Sequence, residues 1–454
     1  MSLSLTSLGG AETVTGSKHL LEADGRRLLI ECGLFLGGIV LRERNWAPFP
    51  VDAASLDAVV LTHAHLDHSG YVPKLVREGF NGPVHCSSAT ADLCDILLKD
   101  SAHIAEKDAE YANRKGHTKH KPALPLYTVR DAEQALKRLK SVAFEADTNV
   151  VEGATIRLRR AGHILGAATV EVRWRNRTLL FSGDLGRYGD VFMPDPEPVA
   201  EADYIVVEST YGDRIHPKHN PMEALGAVIE RTVRRGGTVV IPAFAVGRTQ
   251  VLLYHLWMLK RAGRIGTVPI FLDSPMAINA TELLCSHLDD HRFPPDVCEQ
   301  SCEIATYTRD VEGSKAITAS PMPKVVIAGS GMATGGRVLH HIKAFGPDEK
   351  NTILFAGYQA AGTRGARLLA GDTELKMFGQ WIPIRAEIDN LPELSAHADA
   401  DEILRWLGGF KRPPKRVFIV HGEPAASDAL RMRIERKLGW DAVVVEDARR
   451  YELS

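Results

Sequence analysis

The sequence predicts an α/β protein in which one domain, written in strands and hairpins, is interrupted by a second domain built on a parallel sheet. Three observations carry this. The chain has 454 residues, too many for one core and enough for two or three domains. Up to about Tyr211 the text alternates and turns, as antiparallel strands with inserted helices do. Beyond it come apolar runs that each end in small or polar residues, with helical stretches between, the pattern of a parallel sheet. After Gly371 the first texture returns, so the predicted parse is residues 1–211, an insert over 212–370, and a returning part over 371–454.

The elements follow in order. RRLLIECG and LDAVVLTH are buried strands ending on polar residues. A long helix is expected from Ala89 to Arg114, and a shorter one opens on Thr128 as its capping residue. Between them the histidines of GHTKHK, His117 and His120, read as a polar loop. ATIRLRRAGH and ATVEVRWRNRTLLFSGD form an antiparallel meander. In the insert, GTVVIPAF, VPIFLDSP, KVVIAGSG and NTILFAGY are the parallel strands. ELKMFGQWIPIRAEI then reads as a hairpin, serving either the core or a homodimer interface. KRVFIVHGE is a strand ending in His421, and a helix and the strand DAVVVED close the chain.

Composition excludes several classes. Hydrophobic residues make up 44% and charged residues 25%, ordinary for a globular protein. A net charge of -2 gives no global positive field, so any nucleic-acid site must be a local groove. The basic stretches RLRR, RWRNR and KRPPK read as solvated surface. No apolar run approaches the ~20 residues of a membrane span. MSLSLTSLGG lacks a basic region followed by an apolar block, so a cytoplasmic protein without a membrane partner is expected. Six scattered cysteines without a CxxC pair predict reduced thiols.

The chemistry concentrates in LTHAHLDHSG, where a strand runs out as metal ligands begin. His63 and His65 are two apart and face the same way on extended backbone, whereas Asp67 and His68, past the turn, point elsewhere. One loop thus serves two neighbouring ions and completes neither. His163 in AGHILGAA, Asp184 in LLFSGDLG and His421 in VFIVHGE stand at further strand ends. Asp184 has two oxygens and can bridge two cations, with His163 and His421 completing one each. Ions about 3.5–4 Å apart can share a hydroxide that is nucleophilic at neutral pH.

These motifs resemble the metallo-β-lactamase fold, an αββα sandwich with its dinuclear site at one edge. The resemblance implies His63, His65 and His163 on one metal, Asp67, His68 and His421 on the other, and Asp184 as the bridge. It implies two Zn2+ per chain, although Mn2+ or Fe2+ suits the same donors, and no further cofactor. Glu208 in ADYIVVESTYGD, His397 in LSAHADADE, IPAFAVGRTQ, FLDSPMA, IAGSGMATGGRVLHH and GYQAAGTRG resemble the β-CASP nuclease branch, which includes the cleavage and polyadenylation endonuclease and RNase J, in its short bacterial form. The fold class implied is therefore α/β, a metallo-β-lactamase αββα sandwich with an inserted parallel α/β β-CASP domain.

That branch implies a ribonuclease, endonucleolytic or acting from the 5′ end, that leaves a 5′-phosphate and a 3′-hydroxyl. His397 would be the general acid, Glu208 its orienting carboxylate, and Asp67 and Asp184 the catalytic acids at the metals. The competing reading has Glu208 capping a helix and His397 exposed on a loop. RNA-directed members carry Glu and His where DNA-directed members carry Asp and Val; Glu208 and His421 stand there, which implies RNA, single-stranded for preference. Ser330 and Gly331 in the glycine-rich GSGM turn, with Arg248 and Arg364, are the candidate phosphate contacts, a plain tight turn being the equal alternative for the first two. Two positions depart from the branch: Glu31 stands where Asp is usual, and Leu36 where Gln is common. The alternatives are a small-ester or thioester hydrolase on the same metal core, which would not need the large insert, and a non-catalytic RNA-binding scaffold, which typically lacks ligands that are all present here.

Overall fold

In the computed structural model, which describes residues 3–116 and 120–454, the strand-forming runs pair into two seven-stranded sheets and one six-stranded sheet. His117 lies outside the described residues. The chain divides into two units, Met1–Ile215 with His397–Ser454, and His216–Ala396.

The first unit holds both seven-stranded sheets. One runs, edge to edge, through Arg450–Leu453, Leu3–Gly9, Lys18–Ala23, Arg26–Ile30, Ala58–Val60, Val84–Cys86 and Leu139–Ser141. The other runs through Ala442–Val444, Arg416–Val420, Tyr204–Glu208, Arg177–Phe181, Ala168–Trp174, Ala154–Arg160 and Thr148–Val151. The two-residue period of a strand sorts their side chains. Leu179, Phe181, Val206 and Phe418 face the first sheet's Leu5, Leu28, Ile30 and Val60 in one core. Leu180, Ile205, Val207, Val417 and Ile419 face outward and pack on Trp406, Leu407, Leu430 and Ile434 of helices Ala400–Leu407 and Pro424–Leu438. Central strands covered on both faces must be apolar throughout, which is why IVV and VFIV carry no alternation. Helices Val72–Arg77, Ser88–Lys115 and Val129–Leu136 pack together beyond the other sheet, completing the αββα order.

The helix ends follow the expected chemistry. Ser88–Lys115 is capped by the Ser87 hydroxyl, which accepts from the Thr90 amide, and stops at Gly116 in left-handed backbone with φ 65°. Thr128 and Asp131 form a reciprocal capping box at the start of Val129–Leu136. No helix among the described residues is long and apolar enough to cross a membrane. The basic stretches are neutralised locally: Arg157 and Arg173 meet Asp147, Arg159 meets Glu171, and Arg412 meets Glu201.

The second unit is a parallel sheet in the order Thr306–Tyr307, Ile270–Leu272, Lys324–Ala328, Thr238–Pro242, Thr352–Phe355 and Glu387–Asn390. Its last strand corrects the boundary read from the sequence. Glu374–Met377 and Gln380–Pro383 do pair as a hairpin, but Glu387–Asn390 then joins Thr352–Phe355 in parallel, so the unit ends at Ala396 rather than near residue 370. Hairpin texture identifies local pairing and says nothing about which sheet the next strand enters.

The expectation of six reduced thiols is also corrected. Cys285, at the end of helix Pro275–Leu284, is disulfide-bonded to Cys298 in helix Pro295–Cys302, with a Cα–Cα distance of 6.1 Å. A separation of 13 residues with a turn between two helices leaves no spacing signature.

The sandwich core sets the first prediction. Phe181 is 2% exposed between the sheets. Phe181→Ala should cost about 3–5 kcal/mol in urea unfolding; a loss below about 1 kcal/mol would mean that the two sheets do not rely on this contact.

Candidate metal centre

Three parallel strands of the second sheet, Arg177–Phe181, Tyr204–Glu208 and Arg416–Val420, run side by side. Their carboxyl ends therefore deliver Asp184, Glu208 and His421 to one edge. The other sheet delivers Ala58–Val60 to the same edge, where Thr62 accepts the Ala168 amide at 2.8 Å and ties the sheets together. His163 lies on the connection between Ala154–Arg160 and Ala168–Trp174. The loop His63 to Ser69 turns into the short helix Leu66–Ser69. That helix is held by backbone bonds from Ser17 to the Asp67 carbonyl, from Cys32 to that of His68 and from Leu34 to that of Leu66. Two glycines make the approach feasible: a Cβ on Gly33 would fall 1.6 Å from the Asp67 carbonyl oxygen, and one on Gly183, at φ 53°, 2.6 Å from the Thr62 hydroxyl.

The side chains form two sets that meet at Asp184. In the first, His65 Nδ1 lies 3.1 Å from His63 Nε2 and 3.3 Å from His163 Nε2. Both of those Nε2 atoms are 3.5 Å from Asp184 Oδ2. In the second, His68 Nε2 and His421 Nε2 are 3.2 Å apart, and Asp67 Oδ2 is 3.4 Å from the latter. Asp184 Oδ1 is 3.4 Å from His68 Nε2 and 3.5 Å from His421 Nδ1. Each carboxylate oxygen thus faces one set.

These separations fit a metal centre. Three imidazole nitrogens pointing at one another cannot all donate and accept in turn. Ligands at ~2.0–2.1 Å from a tetrahedral cation, however, stand roughly 3.3 Å from each other. Among the described residues no donor makes a hydrogen bond to the buried Asp184 Oδ1, an expensive state for a carboxylate oxygen unless a cation completes it. Burial drives His63 well below its ordinary value and His65 down to about 4, so both present neutral lone pairs. Burial also opposes protonation of His68, but Asp184, Asp67 and Glu31 outweigh it and raise this ring well above its ordinary value. The same carboxylates that draw a proton there would draw a cation.

The distal ring nitrogens are steered. His63 Nδ1 is 2.9 Å from the Thr62 hydroxyl, His421 Nδ1 is 3.1 Å from the Thr210 hydroxyl, and His68 Nδ1 is 3.3 Å from Glu31 Oε2. Glu31 Oε1 accepts the Thr62 amide at 2.9 Å, so one carboxylate spans two ligand supports. Glu31 stands in left-handed backbone, φ 67°; His421 is likewise left-handed, φ 49°, with its amide donating to the Gly10 carbonyl at 2.6 Å. Thr62 and Thr210 were not singled out from the sequence, though each directly neighbours a motif that was.

His397 and Glu208 join the same edge. Glu208 is fully buried; its Oε1 accepts the Leu185 amide at 2.6 Å and lies 3.3 Å from His397 Nδ1. The His397 ring also stands 3.9 Å from Asp184 Oδ2. Burial lowers its proton affinity, but Glu208 and Asp184 overcome that and hold His397 above its ordinary value. Glu208 does not cap a helix, and His397 is not an exposed loop residue.

The other four candidates sit together in the second unit, past the carboxyl ends of its strands. Ser330 Oγ accepts the Thr334 and Gly335 amides at 3.0 and 3.2 Å, closing the turn. Gly331 leaves room for Phe244, whose ring a Cβ would meet at 2.6 Å. Arg248 is 7% exposed at the start of helix Arg248–Arg261. The Arg364 guanidinium donates to the carbonyls of Thr334 and Lys376, which ties the turn to the hairpin.

Glu31 carries a prediction. Glu31→Gln keeps an acceptor for the Thr62 amide but removes the charge beside His68, so metal affinity should fall roughly 10–100-fold in chelator competition. Glu31→Asp should lose less. Unchanged affinity in Glu31→Gln would remove this residue from the support of the site.

Comparison with known proteins agrees with this geometry. Residues 16–224 match the metallo-beta-lactamase superfamily, 249–368 the Beta-Casp domain, and 381–445 the Zn-dependent metallo-hydrolase RNA specificity domain. Ribonuclease TTHA0252 of Thermus thermophilus is 38% identical over 92% of this chain and 93% of its own length. Transcription termination factor FttA of Methanosarcina mazei is 32% identical over 96% of this chain and 69% of its own. A solved protein of unknown function from Enterococcus faecalis V583 superposes over the full length of both chains with a TM-score of 0.53 at 13% identity, which shows the fold alone. The chain belongs to the metallo-β-lactamase superfamily, in its β-CASP branch of Zn-dependent metallo-hydrolases.

Proposed function

We propose that this protein is a ribonuclease that hydrolyses the phosphodiester bonds of single-stranded RNA, leaving a 5′-phosphate and a 3′-hydroxyl, with two Zn2+ held by the seven ligands. The observation that carries the reading is the placement of the Glu208–His397 pair beside the two-sided carboxylate Asp184. The match to an RNA specificity domain and the relative named ribonuclease support the substrate class.

His63, His65 and His163 would hold one ion, Asp67, His68 and His421 the other, and Asp184 both. Bound there, the ions would supply Lewis acidity toward the phosphate and a nucleophile at neutral pH. The chain's own residues do the rest. His397 turns Nδ1 to Glu208, so proton delivery to the departing 3′ oxygen falls to Nε2. Glu208, locked by the Leu185 amide, keeps that ring charged and aimed. In this reading Gly331 offers its backbone amide to a phosphate, Ser330 closes the turn that presents it through its amide on the Gly335 carbonyl, Arg248 adds charge, and Arg364 holds the turn in shape.

His397→Ala should retain metal and lose cleavage of labelled single-stranded RNA by about 10²–10⁴-fold. Asp184→Ala should lose metal and cleavage together. Equal cleavage by wild type and Asp184→Ala would overturn the proposal; undiminished cleavage by His397→Ala would remove that residue from proton transfer.

A further inference from the structure

Six cysteines serve 454 residues, yet three of them fall into one cluster away from the histidine centre. Cys285 follows helix Pro275–Leu284, and Cys298 and Cys302 lie one turn apart on helix Pro295–Cys302. The three sulfurs lie within 4.8 Å of one another. Cys32, Cys86 and Cys94 are buried in the other unit.

A disulfide needs two sulfurs, and Cys285–Cys298 uses two. The third is held in place as well. The Ser301 hydroxyl donates to the Cys298 carbonyl at 3.1 Å, and the Tyr307 hydroxyl donates to the Cys302 carbonyl at 2.7 Å, so the helix end carrying both cysteines is pinned. Burial pushes the Cys302 thiol up to about 11, which makes it a poor nucleophile for exchange with the neighbouring bond. Three sulfurs around a thiophilic cation stand about 3.8 Å apart, the edge of a tetrahedron with ~2.3 Å bonds. That spacing lies inside the span of the cluster once the bonded pair separates.

We propose that Cys285, Cys298 and Cys302 form a thiolate site for one thiophilic divalent cation, separate from the histidine centre, of which the Cys285–Cys298 disulfide is the oxidised, metal-free form. Opening the disulfide takes two electrons and two protons from a dithiol reductant, which leaves as its own disulfide. Binding of the cation then releases the protons of the three coordinating thiols, and solvent supplies the fourth ligand.

The test uses the full chain, reduced with a dithiol, freed of reductant without oxygen, and titrated with Cd2+. Cadmium bound to thiolate absorbs in the near ultraviolet, whereas cadmium on imidazole or carboxylate does not, so the histidine centre is silent. The expected result is a band that saturates at one ion per chain and is absent from the disulfide form. Cys302→Ser, which keeps the disulfide pair, should lose the stoichiometric binding. Cys285→Ser/Cys302→Ser should lose the band while RNA cleavage persists, which separates loss of the site from loss of the fold. No band in the reduced protein would overturn the proposal, as would a band unchanged in Cys302→Ser or retained in the double variant.

Discussion

Everything at the functional edge depends on one carboxylate being shared. Asp184 is 2% exposed, and its two oxygens face different groups of imidazoles. Leaving such a group ionised and buried is costly unless positive charge meets it on both sides. Burial strips protons from His63 and His65, whereas the neighbouring carboxylates raise His68 and His397 above their ordinary values. The carboxylates that hold protons on His68 and His397 would hold cations in the same way, so the edge is built to collect positive charge. Three parallel strands enforce it, because their ends cannot move apart without breaking the sheet between the two cores.

How much of this could be read in advance varied with distance along the chain. The histidines and aspartate of HAHLDH declare themselves, because six neighbouring positions and a strand end fix which side chains can face together. The inserted parallel sheet was visible as texture, and the αββα order was implied by the resemblance of the motifs to the metallo-β-lactamase fold. What stayed hidden was long-range or conformational. Nothing local says that Glu387–Asn390 pairs with Thr352–Phe355, or that two turns bring Cys285 to Cys298. Left-handed backbone at Glu31 and His421 is equally silent in the text, since neither is glycine. Glu31 illustrates the consequence. It departs from the family pattern, and its carboxylate accepts the Thr62 amide and pairs with the His68 ring from left-handed backbone.

The two kinds of donor in the molecule divide by unit. The first unit gathers imidazole and carboxylate, borderline and hard donors that suit zinc, manganese or iron. The second gathers thiols, which select softer ions and answer to redox state. Because the sets share no residue, each can be perturbed while the other is read.

The most direct test of the central claim is anomalous diffraction from crystals of the protein loaded with Zn2+. The account predicts two peaks about 3.5–4 Å apart, one beside Oδ2 of Asp184 and the three imidazoles of His63, His65 and His163, the other beside Oδ1 with His68 and His421. A single ion, or a pair whose bridging ligand is not Asp184, would contradict it.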